Sequence, residues 1–493
     1  MQRRELLKSV GVTGIAAAAS TVALGAMPST RAVAAGVEQK GSLQATLDTL
    51  RAKHKVAGAS VASYENGQLT LAASGMANAQ TGVPLTTDTI MHIGSITKVF
   101  TTTLLMKLVD EQLIDLDKPV LTYLPNLRTQ DMEALRKITV AMLVNHTSGI
   151  DGELLPDFGP DNERIVDAIP RFQNLGQLYE PGKYMSYCNA AVVLAGYLCQ
   201  VIRGKSWYSL VEEQIFKPLG MAHAITQPDH SILHRASVGH YNDPKTREPV
   251  RSSRPFLPMS WAPAGMTLMA SAADLVTFVR MHNRDGVGPN GTRVLSAASA
   301  QRMRKKTAAF AGADFDSVGL GWLLGESQIV RHDGGGPGIR SFVCAHPPTD
   351  SVLAVLTNTS SGGLLYEDLA TRFLTARGAK PLKAAAKELV AAATHAPVQG
   401  APYIGRYENV VMTLDVSQRA DQIFLTLTMK QRPYEEMPKG SVTAPLQPIG
   451  DGTFASAPGT ALSSVGVIKF LNPNKLGQTQ HLATGGRLYK RTA

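Results

Sequence analysis

Residues 91–113 read MHIGSITKVFTTTLLMKLVDEQL, an apolar segment that contains Ser95 and Lys98. Its apolar residues recur with the i, i+3, i+4 spacing of a helix, at Ile96, Val99, Phe100, Leu104, Leu105, Leu108 and Val109. This spacing predicts one largely buried helix. Because Gly94 ends whatever precedes it, Ser95 is expected at the helix N-terminus, where unpaired N–H groups and the positive dipole end favour an anionic oxygen.

Lys98 lies three residues after Ser95 and therefore one turn along the same helix face. An ammonium group among apolar neighbours is expensive to desolvate, so it needs a partner or a lowered pKa. A lowered pKa would make Lys98 a base. The alternative is that Ser95 caps the helix and Lys98 extends to solvent. Since Ser-x-x-Lys has only two fixed positions, other motifs must decide between these interpretations.

Composition restricts the class of protein. The 493 residues exceed one ordinary core, so two domains are expected, and 44% hydrophobic with 18% charged residues is typical of a globular protein. The net charge is +10; residues 1–34 carry four basic residues and one acidic residue, which leaves +7 on the remainder. The charges are scattered, which argues against nucleic-acid binding and is compatible with association with an anionic cell envelope.

The opening residues have the layout of an export signal. Arg3 and Arg4 precede an alanine-rich apolar stretch and a small-residue site ending at Ala34, which resembles a twin-arginine signal peptide covering residues 1–34. The alternative, a membrane anchor, is disfavoured because the apolar run is short, and no other segment is long enough to span. The mature protein is expected to be periplasmic or secreted, exported folded, with no integral membrane segment.

The remaining chain predicts a large α+β domain and a smaller β domain. Strand-like runs flank Asn66-Gly67, a strong hairpin signal, helical patterns follow, and strands return from Val318 onward, which predicts an antiparallel sheet with helices. Residues 379–400 have the composition of a linker. Beyond them the hydrophobic period changes to two, which predicts a small all-β barrel or sandwich. The predicted domains are 35–378 and 401–493.

Two later stretches contain polar residues on predicted loops. Tyr187-Cys188-Asn189 leads into a helix, and His332-Asp333-Gly334 precedes a glycine-rich run. The simpler interpretations are a packed tyrosine with a capping asparagine, and a plain hairpin loop. Four glycines beside a histidine nevertheless suggest a close backbone approach to a ligand. His146 is predicted to be structural, with its imidazole holding nearby loop backbone.

The chain thus contains three motifs, in the order Ser95-Ile96-Thr97-Lys98, Tyr187-Cys188-Asn189 and His332-Asp333-Gly334. Over residues 43–374 the chain resembles the serine hydrolases of the class C β-lactamase and DD-peptidase type. The resemblance implies an antiparallel sheet flanked by helices plus an all-helical subdomain. The C-terminal region resembles the lipocalin-like barrels appended to some peptidases of this family that act on D-amino-acid substrates.

The same resemblance implies roles for individual residues. Ser95 would be the acylated nucleophile, with Lys98 and Tyr187 as the candidate bases. The backbone N–H groups of Ser95 and Gly335 would stabilise the oxyanion, with Gly334 completing the third motif. The substrate would contact Asn189 and His332. No cofactor is required, and no metal-binding motif is present in the sequence.

Two departures from the usual family pattern affect the prediction. Cys188 stands where a small residue such as serine is usual, and it is expected to pack inward. His332 stands where many β-lactamases carry lysine, which argues against antibiotic hydrolysis as the main role. The three cysteines, Cys188, Cys199 and Cys344, cannot form a disulfide framework.

The predicted function is an exported serine peptidase or amidase that acts on small or D-amino-acid-containing peptides. Two alternatives stay open: a carboxylesterase for small esters with weak β-lactamase activity, and a penicillin-binding receptor that is acylated without turnover. The expected partner is a small-molecule or short-peptide substrate, and the oligomeric state is left open. The β domain either packs for solubility or restricts which substrates enter.

Overall fold

The computed structural model describes residues 37–152, 164–265, 267–312, 317–394, 398–431, 440–456, 460, 462 and 465–493, with backbone only at 37–42 and 385. The predicted signal peptide, residues 1–34, lies outside the described residues. No helix in these ranges is both long and apolar enough to cross a membrane.

The α-helices are short to medium in length and lie mainly before residue 392. They are α1 Val37–Lys53, α2 Thr97–Asp110, α3 Met132–Lys137, α4 Val140–Val144, α5 Ile165–Ala168, α6 Asn189–Arg203, α7 Trp207–Val211, α8 Lys217–Leu219, α9 Ala272–Asn283, α10 Ala297–Met303, α11 Gly362–Thr375 and α12 Ala384–Ala391. A π-helical turn, Glu212–Phe216, joins α7 to α8.

The strands before residue 358 are β1 Gly58–Glu65, β2 Gln68–Asn78, β3 Val83–Pro84, β4 Met91–His92, β5 Ile150–Asp151, β6 Gly176–Gln177, β7 Ala224–Ile225, β8 His240–Asn242, β9 Pro249–Arg251, β10 Met269–Ala270, β11 Ala308–Ala309, β12 Ser317–Val318, β13 Leu323–Leu324, β14 Val330–Gly336, β15 Ile339–His346 and β16 Ser351–Thr357. The main sheet has the antiparallel order β11-β12-β13-β14-β15-β16-β1-β2-β3. Its first hairpin turns at Asn66 and Gly67, both with positive φ, as the sequence predicts.

The main sheet is covered on both faces, because successive residues of a strand point to opposite sides. In β1, Val61 packs with α1 and α11 on one face, whereas Ala62 packs into the large core on the face that contacts α9. All seven residues of β16 are buried. The sheet therefore lies between two layers of helices and forms a rigid support for the segments at its edge.

The segment that contains Ser95 differs from the prediction at its start. Met91 and His92 form strand β4, which pairs with β10, and the 3-10 helix Gly94–Ile96 precedes α2. Gly94 follows the preceding strand closely, as expected, but the first turn of the helix, which contains Ser95, is 3-10 and not α-helical. Ser95 lies two residues before the first residue of α2, within the 3-10 helix.

The third motif also differs from the predicted loop. Strand β14 continues through Gly334, Gly335 and Gly336, and the turn to β15 follows at Pro337-Gly338. A Cβ atom on Gly334 would lie 2.1 Å from the carbonyl oxygen of Ile93. Glycine is thus needed at position 334 because this strand contacts the backbone close to Ser95. The sequence suggested such a close approach, but to a ligand.

The C-terminal strands form a closed barrel, β17 to β24, with ranges Gly405–Glu408, Met412–Arg419, Gln422–Met429, Ser441–Gly450, Thr453–Ser456, Val467–Pro473, Thr479–Thr484 and Arg487–Arg491. Leu414, Leu425 and Ile423 fill its interior, as the period of two predicts. The predicted fold class, an antiparallel sheet with helices followed by a small β-barrel, is confirmed. The predicted linker, 379–400, contains helix α12, and the exact domain boundaries stay predictions.

Candidate active site

Ser95 and Lys98 meet at the start of α2. Lys98 Nζ donates a hydrogen bond of 3.0 Å to Ser95 Oγ, because the 3-10 turn followed by α2 places the two side chains on one face. Ser95 is half-buried, whereas Lys98 is 1% exposed. The alternative in which Lys98 extends to solvent is therefore wrong.

The buried Lys98 amine contacts groups from two other segments. It donates to the carbonyl oxygen of Ala264, in the 3-10 helix Met259–Ala264, and lies 4.8 Å from the centroid of the Tyr187 ring. Thr101 Oγ1, one turn further along α2, donates to the carbonyl oxygen of Pro263 at 2.7 Å, which fixes this helix against α2. The Lys98 side chain is thus held between Ser95 and Tyr187.

Glycines surround the backbone of Ser95. A Cβ atom on Gly94 would lie 2.7 Å from the nitrogen of Gly335, and one on Gly265 would lie 2.8 Å from the nitrogen of Ser95. Gly94 and Gly265 both have positive φ, which glycine adopts without strain. Because Gly94 and Gly265 have no side chains, the backbones of Ser95 and Gly335 lie close together. The N–H groups of these two residues are the predicted oxyanion donors.

The second motif lies where the sequence predicts, at the start of α6. Cys188 is the N-cap of this helix, and its Sγ accepts a hydrogen bond of 3.5 Å from Ala191 N. Cys188 is 3% exposed, so it packs inward as expected. Tyr187 is half-buried and lines the cleft, and Asn189, the first residue of α6, lines the same cleft.

His146 has a larger part in the site than the sequence indicates. Its ring stacks on Tyr187 with 4.4 Å between centroids, and its Nδ1 accepts a 3.2 Å hydrogen bond from Cys188 N. Burial, assisted by the charge on Lys98 and by His332, holds the pKa of His146 well below its usual value. The predicted contact with loop backbone is present, but no sequence signal could reveal the stack, because 41 residues separate the two rings.

His332 faces Tyr187 from strand β14. Its ring centroid is 6.4 Å from that of Tyr187, and its Nδ1 donates to the carbonyl oxygen of Asp333 at 2.7 Å. Burial is the main reason that the pKa of His332 is lowered to about 4. His332 is therefore neutral near pH 7, and its buried Nε2 has no hydrogen-bond partner among the described residues.

These side chains line one cleft of about 370 Å³. It is lined by Ser95, Tyr187, Asn189, Leu323, Arg331, His332, Asp333, Gly335, Phe342, Tyr366, Glu367, Leu382, Lys383, Gly485, Gly486 and Arg487. The structure thus brings together most of the predicted site residues. Gly334 lies in β14 beside them, packed against Ile93, and Lys98 lies beneath Ser95.

Two walls of the cleft were not predicted from the sequence. One is formed by Leu382 and Lys383, from the predicted linker, and the other by Gly485, Gly486 and Arg487, from the barrel. No motif marks these residues, since their position depends on how the barrel packs. Within the described ranges, no group of three or more His, Cys, Asp or Glu side chains is arranged to hold a metal ion.

The chain is similar in sequence to known proteins. The family model described as Beta-lactamase matches residues 43–377. The chain is 34% identical over 371 residues to "Penicillin-binding protein 4" from Amycolatopsis lactamdurans, which covers 74% of this chain and 96% of that protein.

Solved structures are similar as well. The crystal structure of SurE aligns with a TM-score of 0.73 and 25% identity over 92% of this chain and 99% of that one, so the similarity includes the barrel. D-amino acid amidase from Ochrobactrum anthropi SV3, complexed with L-phenylalanine amide, aligns with a TM-score of 0.54 and 28% identity over 64% of this chain and 90% of that one.

Proposed function

Because this chain belongs to the beta-lactamase family of serine hydrolases, we propose that it cleaves amide bonds next to D-amino-acid residues in small peptides. The observation that carries the proposal is the 3.0 Å contact between Lys98 Nζ and Ser95 Oγ at the edge of a cleft. A serine hydroxyl is a poor nucleophile until a neighbouring base takes its proton. Lys98 is the base in direct contact with it.

The proposed reaction has two steps. In the first, Ser95 Oγ bonds to the substrate carbonyl carbon, its proton passes to Lys98, and the C–N bond breaks as Tyr187 delivers a proton to the leaving amine. The N–H groups of Ser95 and Gly335 bind the oxyanion. In the second step, water adds to the ester carbonyl and gives a proton to Tyr187, the bond to Ser95 breaks, and Lys98 returns its proton to Ser95 Oγ.

The edge of β14 supports a peptide as substrate. Strand β13 pairs with β14 only at Val330 and Arg331, so among the described residues no strand covers Asp333 to Gly336 on that side. An extended peptide can add to such an edge through main-chain hydrogen bonds. Asn189 and His332, which line the same cleft, are then placed to contact the amide groups of the substrate.

The neutral state of His332 removes one cation that could hold a penicillin carboxylate, although Arg331, Lys383 and Arg487 line the same cleft. With a pKa of about 4, His332 offers no positive charge at pH 7 for the carboxylate that penicillins carry. The similarity to a D-amino acid amidase supports a substrate of D configuration. The proposal therefore names a D-aminoacyl amide that lacks a carboxylate as the best small substrate.

Turnover of matched enantiomers tests the proposal. D-alanyl and L-alanyl p-nitroanilide, p-nitrophenyl acetate and benzylpenicillin would be compared on the wild type and on Ser95→Ala. Faster hydrolysis of the D-amide, abolished in Ser95→Ala, supports the proposal. Turnover of the ester alone would instead make the protein an esterase, and a stable penicilloyl adduct without amide turnover would make it a receptor; either result overturns the proposal.

We also propose that the protein is exported. Residues 1–34 support this through the Arg3-Arg4 pair and the site at Ala34. The three cysteines are buried and form no disulfide, which is compatible with folding before export. Replacement of both arginines by lysine should leave the precursor in the cytoplasm on cell fractionation. The net charge of +7 on residues 35–493 supports association of the exported protein with anionic envelope polymers, which elution with salt would test.

A further inference from the structure

The turn between β23 and β24 is a tight two-residue loop at the end of the barrel that faces the cleft. Thr484 pairs with Arg487, which leaves Gly485 and Gly486 as the loop, with φ of 58° and 74°. Positive φ at both positions is the geometry of a type I′ hairpin, which glycine adopts without strain. Gly486 is buried although it lies in a turn, so the turn must be covered by another part of the chain.

The covering segment is the second motif. Tyr187 N donates a hydrogen bond of 3.0 Å to the carbonyl oxygen of Gly486. Leu488 N, on the other side of the turn, donates a hydrogen bond of 3.0 Å to Ser186 Oγ, which belongs to a residue that is 6% exposed. The turn therefore holds two successive residues of the active-site loop through buried hydrogen bonds.

The hairpin itself is anchored close to this contact. Ala483 and Leu488 form a pair that points out of the barrel, whereas the next pair, Leu482 and Tyr489, points into it. Ala483 and Leu488 are fully buried because they pack with Leu178, Met185 and other apolar residues of the hydrolase core. At Ala483 and Leu488, next to the turn, the outward face of β23 and β24 thus forms an apolar interface instead of a solvated surface.

A polar contact fixes the hairpin from a second direction. His481 Nε2, on β23, donates to the carbonyl oxygen of Leu178 at 3.0 Å, and His481 is 7% exposed. With the packing of Ala483 and Leu488 and the two hydrogen bonds at the turn, the hairpin is held by four contacts. Because the turn is fixed in this way, it can fix the backbone position of Tyr187, which it contacts.

The Tyr187 ring lies between groups from both domains. His146 stacks on it, and the guanidinium carbon of Arg487 lies 5.2 Å from its centroid. Lys98 Nζ lies 4.8 Å from the same centroid. The backbone of Tyr187 is fixed by the barrel turn, and its ring has cationic and aromatic neighbours on several sides.

We propose that the Gly485-Gly486 turn of the barrel is a positioning element for Tyr187, so that the barrel completes the catalytic site of the hydrolase domain. This inference rests on the proposed function, because it assumes that Tyr187 transfers a proton during attack by Ser95. A displacement of about 1 Å in a group that takes part in the reaction can reduce the rate by about 100-fold. The barrel prevents this displacement through the Gly486 carbonyl and the Leu488 N–H group.

A pair of glycine variants in the barrel tests the proposal. Gly486→Val places a β-branched residue at positive φ and disturbs the turn beside Tyr187. Gly477→Val has the same strain, with φ of 77°, but Gly477 is exposed in the turn between β22 and β23, where an added Cβ meets nothing within 4 Å. The rates of Ser95 modification by a fluorophosphonate and of amide hydrolysis would be measured for both variants.

The expected result is a loss of about 10- to 100-fold in kcat for Gly486→Val, with KM unchanged, and wild-type kinetics for Gly477→Val. In a Tyr187→Phe background, Gly486→Val should change the labelling rate by less than about twofold, since the effect acts through Tyr187. Equal kinetics of the two glycine variants, a rise in KM alone, or an undiminished effect in the Tyr187→Phe background would overturn the proposal.

Ser186→Ala is the second variant and removes the acceptor of the Leu488 N–H group without strain in the turn. It keeps the proposal testable if Gly486→Val fails to fold, as judged by circular dichroism and melting temperature, and the same loss of kcat is expected. Failure of the proposed function gives a different result, because the wild type itself would then show neither labelling of Ser95 nor amide turnover.

Discussion

The ring of Tyr187 stacks on the imidazole of His146, with 4.4 Å between their centroids and 30° between their planes. His146 Nδ1 also accepts a hydrogen bond from Cys188 N, so one side chain contacts both the ring of Tyr187 and the backbone of the next residue. Since His146 is 3% exposed, solvent cannot replace either contact. His146 is thus a positioning residue for the proposed proton-transfer group.

Two substitutions of His146 should separate these contacts. His146→Phe keeps the stack but leaves Cys188 N–H without its acceptor, which should lower the free energy of unfolding by about 1–3 kcal/mol with kcat largely retained. His146→Ala removes both contacts, and loss of the stack should reduce kcat by a further factor of about 3 to 10. Urea unfolding and amide hydrolysis measure the two effects. Equal kcat values for both variants would contradict the positioning role.

Gly334→Ala should disturb Ser95 through the backbone. The added Cβ atom would lie 2.1 Å from the Ile93 oxygen and 2.2 Å from Ser341 Oγ, so β14 or the segment before Ser95 must move. Activity is expected to fall by about 100-fold. Gly325→Ala is the matched control, because its nearest neighbour would lie at 3.6 Å. If the two variants have equal activity, the close approach of β14 is not what fixes Ser95.

The cysteines should be unreactive in the native protein. Cys188, Cys199 and Cys344 form no disulfide and are at most 3% exposed, and burial raises the pKa of Cys199 to about 12. Because the thiolate is the reactive form, Ellman's reagent should detect no thiol before unfolding and three thiols in guanidinium chloride. Rapid native labelling of Cys188 would show that this residue opens to the cleft.

Buried neutral histidines should make stability fall in acid. The pKa is lowered to about 4 for His92 and His332 and to about 3 for His282, in each case mainly by burial. Below pH about 6.5 the unfolded chain binds protons at these imidazoles and the folded chain does not. The free energy of unfolding should therefore decrease as the pH falls from 6.5 towards 4.

His282→Gln tests this pH dependence away from the cleft. His282 Nε2 lies 3.1 Å from Thr103 Oγ1, and glutamine retains a polar group there. Unfolding of the variant should take up about one proton fewer than unfolding of the wild type. Its melting temperature should therefore depend less steeply on pH between 6.5 and 4. Parallel curves for the two proteins would show that His282 does not carry this linkage.

Local sequence patterns predicted the parts of the site that depend on local structure. The spacing of Ser95 and Lys98 fixes their contact, because three residues along a helical segment return to the same face. Asn66-Gly67 predicts its hairpin because both residues tolerate positive φ. The alternation of Ile423, Leu425 and Leu427 predicts a strand whose buried face fills the barrel.

The remaining features depend on contacts between distant segments. No local signal brings Gly486 to Tyr187, since almost 300 residues separate them and the contact exists only once the barrel packs on the hydrolase domain. The stack of His146 on Tyr187 depends in the same way on tertiary structure. The glycines after His332 were noticed, but whether they approach a ligand or backbone could be decided only from the position of Ile93.

The central claim is that Ser95 is acylated with Lys98 as its base, and intact-mass spectrometry after reaction with a fluorophosphonate tests it most directly. The wild type should gain one adduct, located on Ser95 by peptide mapping, and Ser95→Ala should gain none. Lys98→Met, which keeps a long apolar side chain in the buried position, should react slower by a factor of about 100 to 10,000 while remaining folded. An adduct on another residue, or wild-type reactivity of Lys98→Met, would contradict the mechanism.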